Sequence, residues 1–483
     1  MKVAFHTLGC KVNQYETQAM TEQFKARGFE VVSEESFADA YVVNTCSVTN
    51  LADRKSRQYI RRMKKVNPES VMAVTGCYAQ MAGEEIIDIP EVDIVMGMNE
   101  KHLIVDQVVR QLAAKGADGT KGAVAGAGSN AHGQAGQGDK YIHVLPYEEL
   151  DRYVETGQIV SMESRTRAYI KVQEGCNRFC SYCIIPYARG QVRSRGVSDV
   201  VAEAKGLIDA GFKELILTGI NTALYGMEKG FDFEHQPGEE DLKGIEILIS
   251  RISQLPGDFR IRLSSLEPTV IDKDYVKRLF GYPKLCHHLH LSIQSGSDRV
   301  LGGMNRHYTQ SEYLDIVRAL KDFDPLYGIT TDIIVGFPGE ADQDFEESIK
   351  VVKQAGFCKV HVFQYSKRPG TKACQMSGHV EGPVKKARSE RLLEVAEEET
   401  REFLRANIGT VQKVLFEEES KDGSHMVGYS DNYIRVYVER SAFGGAGQSG
   451  EAAGFGAATA AGDFGYVKID EIYKDGVKGH IVI

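Results

Sequence analysis

No stretch of this chain approaches the ~20 consecutive apolar residues that cross a bilayer, so no membrane span is expected. The opening Met1-Lys2-Val3-Ala4-Phe5-His6 lacks the n-region and h-region of a secretory signal and reads as the start of a strand. Cysteine is scarce: nine in 483 residues are too few for a disulfide scaffold, and the odd count leaves one unpaired. Basic charge is not in excess. A net charge of −9 argues against a protein that coats nucleic acid non-specifically, while leaving room for one substrate held by a local basic patch. The Gly-rich stretches match neither a Walker A nor a dinucleotide-binding fingerprint, so nucleoside triphosphate and NAD readings fail. What is present is an ordinary globular composition, 42% hydrophobic and 26% charged. At ~150 residues per domain, two or three domains are expected.

The chain reads as α/β in three parts. Residues 1–113 alternate apolar runs (2–7, 40–44, 71–75, 92–96) with helical periodicity (16–27, 52–65, 102–113). Such alternation builds parallel βαβ units, hence an N-terminal doubly wound α/β domain. Residues 114–140 turn to Gly, Ala, Ser, Asn and Gln with few large apolar side chains, the composition of a linker or insertion. The alternation resumes over 141–403. Strands are expected at 168–173, 214–218, 259–263, 288–293, 328–335 and 359–364, with helices at 200–210, 242–252, 311–323 and 345–355. Six units fall short of the eight of a closed barrel, so a partial, TIM-like (β/α)6 barrel with a wide mouth is expected. A charged helix over 383–405 leads into 404–483. There the short β-rich runs at 410–416, 425–438 and 465–483 predict a small antiparallel β-barrel, interrupted by a low-complexity loop over 443–462.

The segment Glu174-Gly175-Cys176-Asn177-Arg178-Phe179-Cys180-Ser181-Tyr182-Cys183 sets three thiols at CxxxCxxC spacing directly after an expected strand. A structural zinc site takes four N/S ligands, and this loop offers three. A [4Fe–4S] cluster has four irons, so three thiolates leave one iron open for chemistry. A second set is dispersed: Thr7-Leu8-Gly9-Cys10, Asn44-Thr45-Cys46 and Thr75-Gly76-Cys77 each follow a strand by one to three residues. In an open parallel sheet the carboxyl ends share one edge, where ligands bind. Three thiols far apart in sequence therefore converge there, as ligands of a second cluster or, on the plainer reading, as small buried hydrophobes. Cys286, Cys358 and Cys374 show no such spacing and read as structural. Thiols kept reduced as ligands point to the cytoplasm.

The CxxxCxxC loop resembles the signature of radical S-adenosylmethionine (SAM) enzymes, in which the open iron chelates SAM. Taken with the second cysteine set and the order of domains, the chain resembles the methylthiotransferase family over nearly its whole length, the last domain corresponding to that family's TRAM domain. The opening His6-Thr7-Leu8-Gly9-Cys10-Lys11-Val12-Asn13-Gln14-Tyr15-Glu16-Thr17 and the run from Gly175 through Ile184-Ile185-Pro186-Tyr187-Ala188-Arg189-Gly190 are similar to the MtaB branch. The sister MiaB branch usually reads Gln-Met-Asn at Lys11-Val12-Asn13. The resemblance implies a tRNA-modifying enzyme that methylthiolates C2 of N6-threonylcarbamoyladenosine at position 37, just 3′ of the anticodon. It implies two [4Fe–4S] clusters, on Cys176, Cys180 and Cys183 and on Cys10, Cys46 and Cys77. It further implies SAM as cofactor, an external electron donor and a sulfur source. The same chemistry on N6-isopentenyladenosine or on a ribosomal-protein aspartate stays open, as does a non-catalytic iron–sulfur RNA-binding or electron-transfer protein.

SAM contacts are expected where active sites of such barrels sit, at strand ends. The candidates are Tyr182 in the cysteine loop, Thr218 and Gly219, Ser264, Ser265 and Glu267, Gln294 and Ser295 with Gly296, and Asp332 with Gly336. For tRNA the basic candidates are Arg54, Arg57, Arg61, Arg62, Lys64 and Lys65 on one helix, Arg189, Arg193 and Arg195 past the loop, and Lys385, Lys386, Arg388 and Arg391. The 189–195 run is favoured among them because it borders the expected reaction centre, whereas helical charge runs usually face solvent.

Overall fold

Central strands that are apolar on both sides need cover on both sides, and the computed structural model supplies it. It describes residues 1–47, 50–117, 134–135, 140–157, 159, 166–242, 244–268, 272–443 and 461–482. Most of the Gly/Ala-rich stretch 114–140 and of the 443–462 loop lies outside the described residues. The helix Ile104–Ala117 continues four residues past the expected end at 113. The chain forms two compact units. One comprises Met1–Val160, Gln173–Arg195 and Ser366–Cys374; the other comprises Ser161–Val172, Gly196–Tyr365 and Gln375–Ile483.

In the first unit the strands lie in the order Glu30–Val32, Lys2–Thr7, Ala40–Thr45, Val71–Gly76, Ile94–Met96, Tyr141–His143, Gln134–Ala135. All neighbours are parallel except the last pair. Alternate side chains divide between two cores. Tyr41, Val43, Met72 and Val74 pack with Ile60 and Met63 of helix Asn50–Val66. Val42, Val71 and Ala73 pack with Met20 and Phe24 of helix Lys11–Ala26 and Val105 and Val108 of helix Ile104–Ala117. Each large apolar side chain among them contributes roughly 1.5–3 kcal/mol by burial. The chain leaves Lys2–Thr7 toward one neighbour and returns to its other side at Ala40–Thr45. That reversal opens a crevice at the carboxyl ends of these two strands, the usual ligand position of doubly wound sheets.

The second unit carries six parallel strands in chain order: Arg167–Lys171, Glu214–Thr218, Arg260–Leu263, His288–Leu291, Gly328–Val335 and Lys359–Gln364. Backbone bonds Ile261 N to Lys284 O (2.7 Å) and Cys286 N to Ile261 O (2.8 Å) join the two halves of the sheet. No pairing joins its first and last strands among the described residues, as expected for a partial barrel. Helices intervene, Gln310–Phe323 starting at a capping box of Thr309 and Glu312. Parallel strands covered on both faces by helices are apolar throughout. These alternate instead: Ala168, Ile170, Leu215, Leu217, Leu289 and Leu291 face the helical core. Their neighbours Arg167, Lys171, Glu214, Thr218, His288 and His290 give the opposite face its polar character. Buried Glu214 takes bonds from Arg260 (2.6 Å) and Arg262 (3.0 Å), which also reach Asp431 and Ser430 of the last domain. Burial works against the Glu214 charge, but the two arginines outweigh it and hold the carboxyl far below its ordinary range. That last domain is a closed five-stranded barrel, Val411–Glu419, His425–Ser430, Arg435–Glu439, Gly476–Ile481, Phe464–Tyr473, around Val414, Phe416, Val436, Val467 and Val477.

Candidate functional site

The dispersed cysteines meet at the crevice. Cys10 caps the start of helix Lys11–Ala26, Cys46 follows the end of its strand, and Cys77 opens the short helix Cys77–Met81. Cys46 and Cys77 are buried and Cys10 is exposed. Gly9 lies so close to Cys46 that a Cβ there would stand 2.9 Å from the cysteine Cβ. Asn13 fastens these loops, its side-chain amide donating to Leu8 O (2.7 Å) and Thr45 O (2.9 Å). Thr45 Oγ1 donates to Thr75 O (2.6 Å), adding the third loop. Gly76 has φ +99°, and a Cβ there would fall 2.3 Å from Thr45 O, so the approach of the Cys46 and Cys77 loops requires glycine.

The contiguous cysteines sit on a loop drawn shut at its neck. Gln173–Glu174 pairs antiparallel with Arg193–Ser194, and Cys176 N donates to Gly190 O (3.1 Å). Gly175, at φ +70°, passes so near the returning strand that a Cβ would overlap Gln191 O at 1.7 Å. Inside the loop Cys183 N donates to Cys180 O (2.9 Å); Cys180 is buried, while Cys176 and Cys183 are half-buried. Phe179 takes φ +45°, an uncommon state for a non-glycine, and its exposed ring meets exposed Tyr187 edge-on at 5.7 Å.

Each set offers three sulfur donors. No group of three or more His, Cys, Asp or Glu among the described residues stands close enough to hold a single metal ion. A polynuclear group has corner ligands that stand further apart than ligands on one ion. Three thiols with a corner to spare fit an iron–sulfur cluster.

A buried ionic network joins the crevice to the loop segment. The Arg189 guanidinium, with none of its surface exposed, donates from Nε to Cys77 Sγ (3.2 Å). Its Nη1 serves Glu174 (2.5 Å) and Glu16 (3.1 Å), and its Nη2 serves Asn13 Oδ1. Lys101, equally buried, donates to the other oxygen of Glu16. Burial opposes the Arg189 charge, but Cys77, Glu16 and Glu174 hold its pKa well above the ordinary value. Burial pushes the Cys77 thiol up, with Arg189 opposing. Asn13 and Glu16 lie in the opening motif and Glu174 heads the cysteine segment, but no role was read for them there, and nothing in the sequence marked Lys101.

The expectation that Arg189, Arg193 and Arg195 contact RNA is therefore corrected. All three are at most 2% exposed. Arg193 donates to Asn99 (3.0 Å) and Arg189 O (2.8 Å), and Arg195 to Glu155 (2.5 Å) and Tyr15. Arg388 is likewise engaged with Glu340 and Asp342, and Arg391 with Glu346. Lys385 donates to Tyr365 O (3.2 Å) and Lys386 pairs with Glu390. On helix Asn50–Val66, Arg57 turns to Tyr78, Arg62 to Glu35 and Lys64 to Asp93. Arg54, Arg61 and Lys65 are exposed and, among the described residues, make no side-chain bond. Their spacing sets them in one stripe.

Of the SAM candidates, Tyr182 belongs to the first unit and the rest to the second. Thr218 ends its strand opposite Lys171, and Gly219 follows it half-buried. Ser264 N bonds Leu217 O (3.0 Å), while its buried hydroxyl makes no hydrogen bond. Ser265 O accepts from Thr222 (2.9 Å), and Glu267 from Asn221 (2.7 Å) and Arg306 (3.0 Å). Gln294 and Asp332 are neighbours through Gln294 N to Asp332 O (2.9 Å). Ser295 is buried and accepts from Ser297 N (3.2 Å). Burial would raise Asp332, but His290 (3.0 Å) and Ser292 (2.9 Å) hold it below the usual carboxylate range. Gly336 packs against the Lys385 stem. The unpartnered Ser264 hydroxyl suits a polar ligand at these strand ends. Cys286 and Cys358 are buried, which pushes both thiols up to about 12, in keeping with a structural role.

Residues 2–97 match the uncharacterized protein family UPF0004, and residues 170–352 match the radical SAM superfamily. The chain is 40% identical over 439 residues to the threonylcarbamoyladenosine tRNA methylthiotransferase MtaB of Bacillus subtilis, covering 90% of this chain and 89% of that one. To the protein of the same name from Thermotoga maritima it is 36% identical, covering 90% of each. To the tRNA-2-methylthio-N(6)-dimethylallyladenosine synthase of Bartonella henselae it is 34% identical, covering 91% of each. In fold it is similar to the radical S-adenosylmethionine methyltransferase TsrM of Kitasatospora setae, with a TM-score of 0.54 at 13% identity over 77% of this chain and 76% of that one.

Proposed function

We propose, for a chain that belongs to the threonylcarbamoyladenosine tRNA methylthiotransferase family of radical SAM enzymes, that it replaces the C2 hydrogen of N6-threonylcarbamoyladenosine at tRNA position 37 with a methylthio group. The observation that carries this reading is the pair of three-thiol sets, one gathered by sheet topology and one by a closed loop, in a chain 40% identical to a protein of that name. Cys176, Cys180 and Cys183 would hold one [4Fe–4S] cluster and, through its open iron, SAM; Cys10, Cys46 and Cys77 would hold a second. An adenine C2–H is beyond acid–base chemistry, and these cofactors supply the one-electron route and the sulfur and methyl groups it requires.

The chain's own residues hold and orient. The glycine neck at Gly175 fixes the loop, and the Gly9 and Gly76 approaches fix the crevice. Thr218, Gly219, Ser264, Ser265, Glu267, Gln294, Ser295, Asp332 and Gly336 are the proposed strand-end contacts of SAM, with Tyr182 from the loop. The Arg54, Arg61 and Lys65 stripe is the proposed grip on tRNA phosphates, and the exposed Phe179 and Tyr187 rings give flipped or neighbouring bases a stacking face. Residues 1–113 would handle sulfur, 141–403 SAM, and the 404–483 barrel RNA. An external electron donor and a sulfur source complete the cycle, in the cytoplasm; no described helix is long and apolar enough to cross a membrane.

Nucleoside mass spectrometry tests the reading. Reconstituted enzyme, SAM and tRNA carrying N6-threonylcarbamoyladenosine should give the 2-methylthio derivative of that nucleoside. A product only on isopentenyl-modified tRNA would keep the chemistry and overturn the substrate.

A further inference from the structure

We propose that Arg189 is a positioning residue of the crevice site, tying the Cys77 sulfur to the segment that bears Cys176, Cys180 and Cys183 and raising the reduction potential of the iron–sulfur group that Cys77 holds. The inference rests on the two-cluster reading above. Arg189 stands six residues past Cys183, at the end of helix Ile185–Arg189, on the chain between the two strands of the loop neck. Its donors are shared among Cys77, Asn13, Glu16 and Glu174 with none of its surface exposed. Asn13 is also the brace of the Cys10 and Cys46 loops. One guanidinium therefore reaches all three crevice loops, one through sulfur and two through Asn13.

The charge balance shows that the sulfur contact is not incidental. Glu16 and Glu174 already offset Arg189 and Lys101, so Nε is not needed to neutralise a carboxylate. Its partner is a sulfur, a weak acceptor as a neutral thiol and a strong one as a thiolate or metal-bound sulfur. A cationic donor on a ligand sulfur stabilises the more negative, reduced state of a cluster, one of the levers by which proteins set cluster potentials.

The test uses the full chain with Cys176, Cys180 and Cys183 changed to Ala, reconstituted anaerobically with iron and sulfide, so that one cluster is titrated by electron paramagnetic resonance. Arg189→Met should move its midpoint to more negative potential with iron retained, and Arg189→Lys should move it in the same direction by less. Arg195→Met removes an equally buried arginine held by Glu155 and Tyr15, and should leave the midpoint in place. Should Arg189→Met fail to fold, because it takes a cation away from the buried carboxylates Glu16 and Glu174, the charge-preserving Lys variant decides alone. An unchanged midpoint in the Arg189 variants with iron retained would overturn the assignment and spare the two-cluster reading. No iron in the parent triple variant would overturn both.

Discussion

The two cysteine triads differ in how the chain builds them. Cys176, Cys180 and Cys183 span eight residues, and a hairpin neck closed at Gly175 delivers them as one local loop. Cys10, Cys46 and Cys77 are spread over 68 residues, and only the strand order of a parallel sheet brings their loops to one edge. A local loop is robust to changes in the sheet but sensitive to its neck. A topological site depends on the whole unit and needs a brace, which Asn13 and Arg189 provide. Damage to the neck should therefore reach the loop first and the crevice only through Arg189, whereas damage to the sheet should reach the crevice first.

The largest effect that sharpens this contrast is expected from Cys176→Ala, Cys180→Ala and Cys183→Ala together. Iron should fall from ~8 to ~4 per chain, with reductive SAM cleavage and product both abolished. Full iron retention in a colorimetric assay would show that the triads are wrongly paired with clusters. Next comes the neck. Gly175→Ala forces a Cβ into Gln191 O, so the loop should lose its iron while the crevice keeps its own, with a stability loss on the order of 1–3 kcal/mol by thermal melting. An equal loss of iron from both sites would break the claim that the loop is locally built.

A smaller effect is expected at the surface. Arg61→Glu with Lys65→Glu should weaken tRNA binding about tenfold and lower the slope of log affinity against log salt by ~0.7–0.9 per contact removed. Fluorescence titration at several salt concentrations checks it. Lys386→Glu, at a position already paired with Glu390, is the control and should change affinity less. An equal loss in that control would take the helix stripe out of the tRNA surface.

Smallest is a pH effect next to the crevice. Burial, only partly offset by backbone N–H groups and by Lys101 and Arg193, pushes the Glu100 carboxyl up to about 7. Its folded pKa lies above the unfolded value, so its contribution is fully present below about 4.5 and is lost as pH rises through 7. Glu100→Gln should flatten the fall in melting temperature between about pH 5 and about pH 8. An unchanged slope would show that this carboxyl does not titrate there.

How much of this was legible follows from what sequence encodes locally. Long apolar runs such as Val71–Gly76 and periodic helices such as Asn50–Val66 announce themselves because burial on fixed faces dictates their composition. The short strands Glu30–Val32 and Gln134–Ala135 do not, being too brief for a period to show. The two cysteine triads were readable as groups, one from spacing and the other from strand ends. The fate of Arg189 was not. Whether a basic residue meets solvent or a buried carboxylate depends on Glu16, 173 positions away, and no local pattern carries that information. The 189–195 arginines favoured for RNA are internal, while the helix read as a solvated face does carry exposed Arg54, Arg61 and Lys65.

The most direct test of the division of labour between the triads changes Cys10, Cys46 and Cys77 to Ala and follows two products at once. SAM should still be cleaved reductively to 5′-deoxyadenosine by the loop site, while no 2-methylthio-N6-threonylcarbamoyladenosine appears in tRNA. Methylthiolated tRNA from that variant would contradict it.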